Sequence, residues 1–150
     1  MIFFGIDPGT SGAVSAMWDD GVPATSFCKL SETEQDIADW FQQFDLAKAK
    51  AVLERVSASP QMGVVSAFTF GRSYGFLRGV LCGLRIPVAE VAPAKWQAAF
   101  GCRTKGDKNI SKAAAQQRWP SLKITHANAD SLLLAEYGRL YAWNNKQGER

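Results

Sequence analysis

Two short apolar runs, each closed by a carboxylate, constrain this chain most. Ile2-Phe3-Phe4-Gly5-Ile6 ends on Asp7, and Ala51-Val52-Leu53 ends on Glu54. Both are strand-sized, and the first is followed at once by the turn-forming residues Pro8-Gly9. The second shows no polar alternation, which suits a strand buried on both faces and paired in parallel with the first. Parallel neighbours need a crossover, and Ile37, Trp40, Phe41 and Phe44 recur at helical spacing between the two runs. The expectation is an α/β chain in which Asp7 and Glu54 are neighbours on adjacent strands.

The rest of the pattern fills in around this pair. Ala13 to Trp18 reads as a second strand returning beside the first, Asp19-Asp20-Gly21 as a hairpin signal, and Thr25 to Lys29 as a third strand completing an antiparallel meander. Ser31, with Glu34 three residues on, offers a capping box for the crossover helix. Phe68 to Leu84 is helical and carries Gly71, Gly75, Gly79 and Gly83, one glycine every fourth residue. Glycine is a poor interior helix former, so this face implies the close approach of another backbone, either the chain's own sheet or a second copy. Pro87 to Val91 reads as a fifth strand, Pro93 to Phe100 as a short helix with Trp96, and Lys108 to Trp119 as a helix stopped by Pro120. A last helix is expected from about Asn128 to Trp143, with Asn144 to Arg150 a frayed tail. The expected class is α/β, a five-stranded mixed sheet flanked by helices.

A length of 150 residues with 47% hydrophobic content suits a single domain over 1–150. The net charge of +3 mildly favours a polyanionic partner without establishing one. Its distribution says more. Acids are dense from Asp19 to Asp45, whereas Arg103, Lys105, Lys108 and Lys112 are opposed only by Asp107, a patch suited to a phosphate backbone. Cys28, Cys82 and Cys102 form no Cys-x-x-Cys pair, and the single histidine cannot complete a structural zinc site with them, so reduced thiols are expected. No signal-like segment and no bilayer-length apolar run is present, and the expected setting is cytoplasmic, with no membrane partner.

A third acid, Asp130, sits in His126-Ala127-Asn128-Ala129-Asp130-Ser131-Leu132-Leu133-Leu134-Ala135. Singly, each acid has an ordinary explanation: a turn residue before Pro-Gly, a solvated strand end, a complement to a helix dipole. Together they are carboxylates fastened to rigid elements and far apart in sequence, which a Mg²⁺ site for phosphodiester cleavage requires. His126 and Asp130 are four apart, so both can project from one helical face near its amino end and grip the same ion. The alternative for His126 is a surface or capping side chain.

These residues carry a family resemblance. Gly5-Ile6-Asp7-Pro8-Gly9, Leu53-Glu54-Arg55-Val56 and Ala129-Asp130-Ser131-Leu132-Leu133-Leu134-Ala135 resemble the three acidic motifs of RuvC-type Holliday junction resolvases. Ser66-Ala67-Phe68-Thr69-Phe70-Gly71-Arg72-Ser73-Tyr74-Gly75 and Val91-Ala92-Pro93-Ala94-Lys95-Trp96 are similar to the variants carried by bacteriophages and prophages. The resemblance implies an RNase H-like fold, a homodimer with two active sites, and two Mg²⁺ ions per site, for which Mn²⁺ can substitute. One ion would help form the attacking hydroxide and the other would stabilise the departing 3′ oxygen. By motif position Asp7, Glu54 and Asp130 become metal ligands, and His126 falls where many phage relatives have a further aspartate. Lys108 matches a basic position that holds the scissile phosphate, and Arg72, Arg103, Lys105 and Lys112 join it in contacting DNA. The setting implied is a bacterial cell or a phage-infected host.

One departure stands out. Where several cellular resolvases place an aromatic residue that stacks at the opened junction, this chain has Ser57; Met62 or Phe68 are substitutes, with core packing the competing role for Phe68. Three other functions fit parts of the pattern. Asp7-Pro8-Gly9-Thr10 also resembles the phosphate loop of actin-like ATPases, but those need two lobes and a second loop. A catalytically inactive branched-DNA-binding module is opposed by the intact acids. A nuclease of the same fold that cuts forks and flaps shares every motif.

Overall fold

The computed structural model describes residues 1–143, so the tail expected at Asn144 to Arg150 lies outside the described residues. The elements are β1 (Ile2–Asp7), β2 (Ala13–Trp18), β3 (Pro23–Lys29), α1 (Glu34–Phe41), a 3₁₀ turn (Leu46–Lys48), β4 (Ala49–Glu54), α2 (Val64–Gly83), β5 (Val88–Val91), α3 (Pro93–Ala99), α4 (Lys108–Arg118) and α5 (Ala129–Tyr137). A π-helical turn, Gly138–Ala142, follows α5 where a continuous helix to Trp143 was expected. The five strands lie in the order β3-β2-β1-β4-β5. The β1–β2 and β2–β3 pairs are antiparallel, and β4 runs parallel to both β1 and β5.

Local chemistry explains the turns. At the β2–β3 hairpin Gly21 takes φ +85°, a conformation costly for other residues, and Asp20 Oδ1 accepts from the Val22 amide at 2.9 Å. The cap of α1 differs from expectation. Thr33 is the N-cap, its Oγ1 accepting from the Asp36 amide at 3.1 Å and its hydroxyl donating back to the Asp36 carboxylate at 2.5 Å. Ser31/Glu34 and Thr33/Asp36 share the same spacing, and only the second pair meets the helix start.

The sheet separates two cores. On one face Phe4 packs edge-on against Trp40, Phe41 and Phe44, joined by Ile6, Leu53, Leu77 and Leu81. On the other, Met17, Val52 and Trp96 pack with Leu132, Leu133 and Leu134 of α5. Strand β4 contributes to both faces, as its unbroken apolar run implies.

Helix α5 lies almost on the backbone of β1. A Cβ at Gly5 would overlap the Ser131 carbonyl oxygen and the Ala135 backbone nitrogen, so only glycine permits this approach. Buried Ser15 and Ser131 join β2 to α5 through hydroxyls 2.7 Å apart. The glycines of α2 behave differently: a Cβ at Gly71, Gly75, Gly79 or Gly83 would meet nothing within 4 Å. Packing of that face on the chain's own sheet is therefore excluded. Helix α2 also begins at Val64, a turn earlier than its periodicity implied, because the added turn is not amphipathic: Val64 and Val65 are 87% and 80% exposed, and Phe68 next to them is 72% exposed. Among the described residues no helix is long and apolar enough to cross a membrane.

Candidate active site

Strands β1 and β4 run in parallel with Ile6 opposite Leu53, so Asp7 and Glu54 leave the sheet side by side at the same end. Asp130 arrives from the first turn of α5, which the Gly5 contact holds over β1. The three acids expected from sequence thus meet at one end of the sheet.

Their electrostatics fit that convergence. Asp7 is buried, and its carboxyl is pushed up to about 7, first by burial, then by the charges of Asp130 and Glu54, with Lys108 opposing. Burial also raises Glu54; the Trp96 hydrogen bond and Lys108 lower it, and Asp130 raises it further. Asp130 is raised by burial, with the Ser111 hydroxyl, Lys108 and His126 opposing. Each carboxylate is held at a disadvantage that a cation would relieve.

Lys108 is the first residue of α4, where Asp107 caps the helix by accepting from the Asn109 amide at 2.9 Å, and its charge acts on all three acids. His126 departs from expectation. It lies in the turn before α5, not on the helix, because α5 starts at Ala129, so His126 and Asp130 share no regular helical face. It is exposed, yet close enough to act on Asp130. Arg103 and Lys105 are exposed in the loop before α4, Lys112 lies half-buried on α4, and Arg72 stands exposed on α2. Lys105 adopts φ +46°, which with Gly106 at φ +93° turns the chain into α4.

Two site neighbours escaped the sequence reading. Trp96 is fully buried, and its Nε1 donates to Glu54 Oε2 at 2.7 Å, fixing one carboxylate oxygen. The signal was available in principle, since a buried indole N–H needs an acceptor. Ser111, 1% exposed on α4, stands beside Asp130. Near the β1–β2 loop, Gly9 and Thr10 border a groove of about 320 Å³ with Met62, Val65 and Phe70. Phe68 lies exposed on the same stretch of α2, so core packing, the competing role for that side chain, is excluded.

The donor chemistry fits a hard divalent cation: carboxylate oxygens of raised pKa, including Asp130 Oδ1, buried without a hydrogen-bond partner. As the side chains stand, no three His, Cys, Asp or Glu residues among the described residues form a closed ligand group. The carboxylates have converged, and a bound cation would have to draw them together.

The strand order, the parallel β1–β4 pair and the helix-borne third acid define an RNase H-like fold of the RuvC type. The chain superposes on the structure of Thermus thermophilus RuvC with a TM-score of 0.64 at 16% identity, covering 93% of this chain and 96% of that one. For T. thermophilus RuvC in complex with Holliday junction substrate the TM-score is 0.68 at 15% identity, covering 94% and 96%. No family model matches the sequence, and no curated protein matches it. At such identities the likeness establishes the fold.

Proposed function

We propose that this protein is a divalent-metal-dependent endonuclease that resolves four-way DNA junctions as a homodimer. The observation that carries the reading is the meeting of Asp7, Glu54 and Asp130, from three separate elements, in a partly buried group beside Lys108. Likeness to a RuvC solved with a Holliday junction substrate supports the choice of DNA. Asp7, Glu54 and Asp130 would hold Mg²⁺ or Mn²⁺, two ions per site, with His126 available as a further ligand. Such ions supply Lewis acidity to the attacking water and charge stabilisation to the departing 3′ oxygen.

The chain's own groups do the positioning. Lys108 holds the scissile phosphate through its non-bridging oxygens. His126, where it is not a ligand, takes a proton from the attacking water as its oxygen bonds to phosphorus and the P–O3′ bond breaks, and the departing O3′ takes a proton from solvent, leaving a 5′-phosphate and a 3′-hydroxyl. Trp96 keeps Glu54 in one orientation. Arg72, Arg103, Lys105 and Lys112 contact the backbone of the DNA arms, which positions the substrate without reading sequence. Phe68, with Val64 and Val65, supplies the apolar contact at the opened junction that Ser57 cannot. The open glycine face of α2 is the contact with the second copy, and two symmetric cuts follow from a two-fold dimer.

The test is cleavage of matched four-way, three-way and linear duplex DNA in Mg²⁺. Asp7→Asn, Glu54→Gln and Asp130→Asn should each nearly abolish cutting while keeping junction binding, and Trp96→Phe should slow it about tenfold. Four-way DNA cut no faster than duplex would remove junction resolution; activity surviving all three acid substitutions would remove the site.

A further inference from the structure

Between the edge strand β3 and the turn before α5 lies a cleft of about 540 Å³ that shares only His126 with the proposed site. Phe27, Leu122 and Leu132 form apolar walls, and the acid-free lining carries Lys29 and Lys123. Lys29 and Lys123 form no ion pair among the described residues. The buried polar side chains inside, Asn128 and Ser15, are already engaged. Asn128 accepts from the Thr125 amide at 2.8 Å and donates to the Lys123 carbonyl at 3.2 Å, and Ser15 is paired with Ser131. The cleft therefore offers apolar contact and a positive rim.

Its position ties it to the carboxylates. Ala13 pairs with Asp7 on one side and Lys29 on the other, so Lys29 lies two strand spacings, roughly 10 Å, from Asp7 along the row of the site. At a duplex rise of roughly 3.4 Å per nucleotide, that span is about three nucleotides. We propose that the cleft holds one unpaired nucleotide of the strand being cut, its base stacked on Phe27 and a flanking phosphate held by Lys29 and Lys123. This rests on the nuclease reading and narrows its substrate. A base within a continuous duplex cannot leave its stack to enter a walled cleft without loss of pairing, so the favoured DNA has a freely unstacked nucleotide near the cut.

The experiment uses the full-length Asp7→Asn protein, in which the DNA stays intact, and branched DNA carrying 5-iododeoxyuridine at single positions within about three nucleotides of the cut. Photo-crosslinks should form from one position to Phe27 and disappear in Phe27→Leu. The same change should weaken branched-DNA binding about tenfold and linear duplex little. Lys123→Ala, at an exposed position, should also weaken branched-DNA binding and guards against a folding defect at Phe27. Crosslinks confined to other segments, or equal crosslinking from continuous duplex, would overturn the proposal. So would Phe27→Leu and Lys123→Ala variants that change self-association and leave DNA binding intact, which would make the cleft a docking groove for a chain segment along β3. Wild-type cleavage run in parallel separates the two readings: cutting without a Phe27 crosslink leaves the nuclease and removes the cleft, and a Phe27 crosslink without cutting does the reverse.

Discussion

Helices α5 and α2 are both rich in apolar residues, yet the fold treats them in opposite ways. All of α5 except Asp130 is buried, whereas the 20 residues of α2 bury only Leu77 and Leu81. Both contain or face glycines, but Gly5 under α5 is filled by another backbone and the α2 glycines meet open space. The difference shows that apolar content measures what a helix can bury, while its seat on the sheet decides what it does bury. The surface α2 leaves uncovered is not needed to hold this chain together, and exposed apolar surface of that kind marks an interaction face.

The largest expected effect tests the α5 side. Gly5→Ala forces a Cβ into backbone atoms of α5 and should destabilise the protein by about 3 kcal/mol in urea unfolding. A neutral result would mean that α5 slides freely on β1, and the contrast with α2 would fail. Next comes the charge that α5 helps bury. Asp7 ordinarily titrates at 3.8 and is raised to about 7 in the fold, so the folded state holds its proton more tightly than the unfolded chain. The stability present below pH 4 is lost as pH rises towards 7. Without divalent cations, Asp7→Asn should therefore raise stability by on the order of 2 to 4 kcal/mol above pH 7 and leave it unchanged near pH 4. Thermal melts across that range check the sign, and equal gains at both ends would refute the burial argument. Added Mg²⁺ should stabilise the wild type more than the variant.

The α2 side should respond with smaller changes. Gly75→Ala meets no clash within the chain and should raise helix stability by about 0.5 to 1 kcal/mol in dilute monomer, while weakening self-association measured by sedimentation. Unchanged association would remove the glycine face as the dimer contact. Phe68→Ser should alter unfolding by no more than about 0.5 kcal/mol, because the ring is already exposed, while reducing junction cleavage. A large loss of stability would place Phe68 in the fold and remove its proposed role at the junction.

Much of this architecture was readable from period and punctuation. The two carboxylate-ended runs implied parallel neighbours, and Ile6 does stand opposite Leu53; Asp20-Gly21 marked the hairpin. Boundaries were less legible where two starts share one pattern, as with Ser31/Glu34 and Thr33/Asp36, or where a helix extends beyond its amphipathic part, as at Val64. His126 was misplaced for a related reason: a spacing of four means a shared face only if the helix has already begun.

The sequence by itself determined the strands, the crossover and the three acids, because apolar periodicity and turn chemistry act over a few residues and leave a local record. Only the tertiary structure decided that Trp96 reaches Glu54 across 42 positions, that Gly5 admits α5, and that four regularly spaced glycines face open space. Those outcomes depend on which distant surfaces meet, and a side chain's spacing along its own helix does not say what stands opposite.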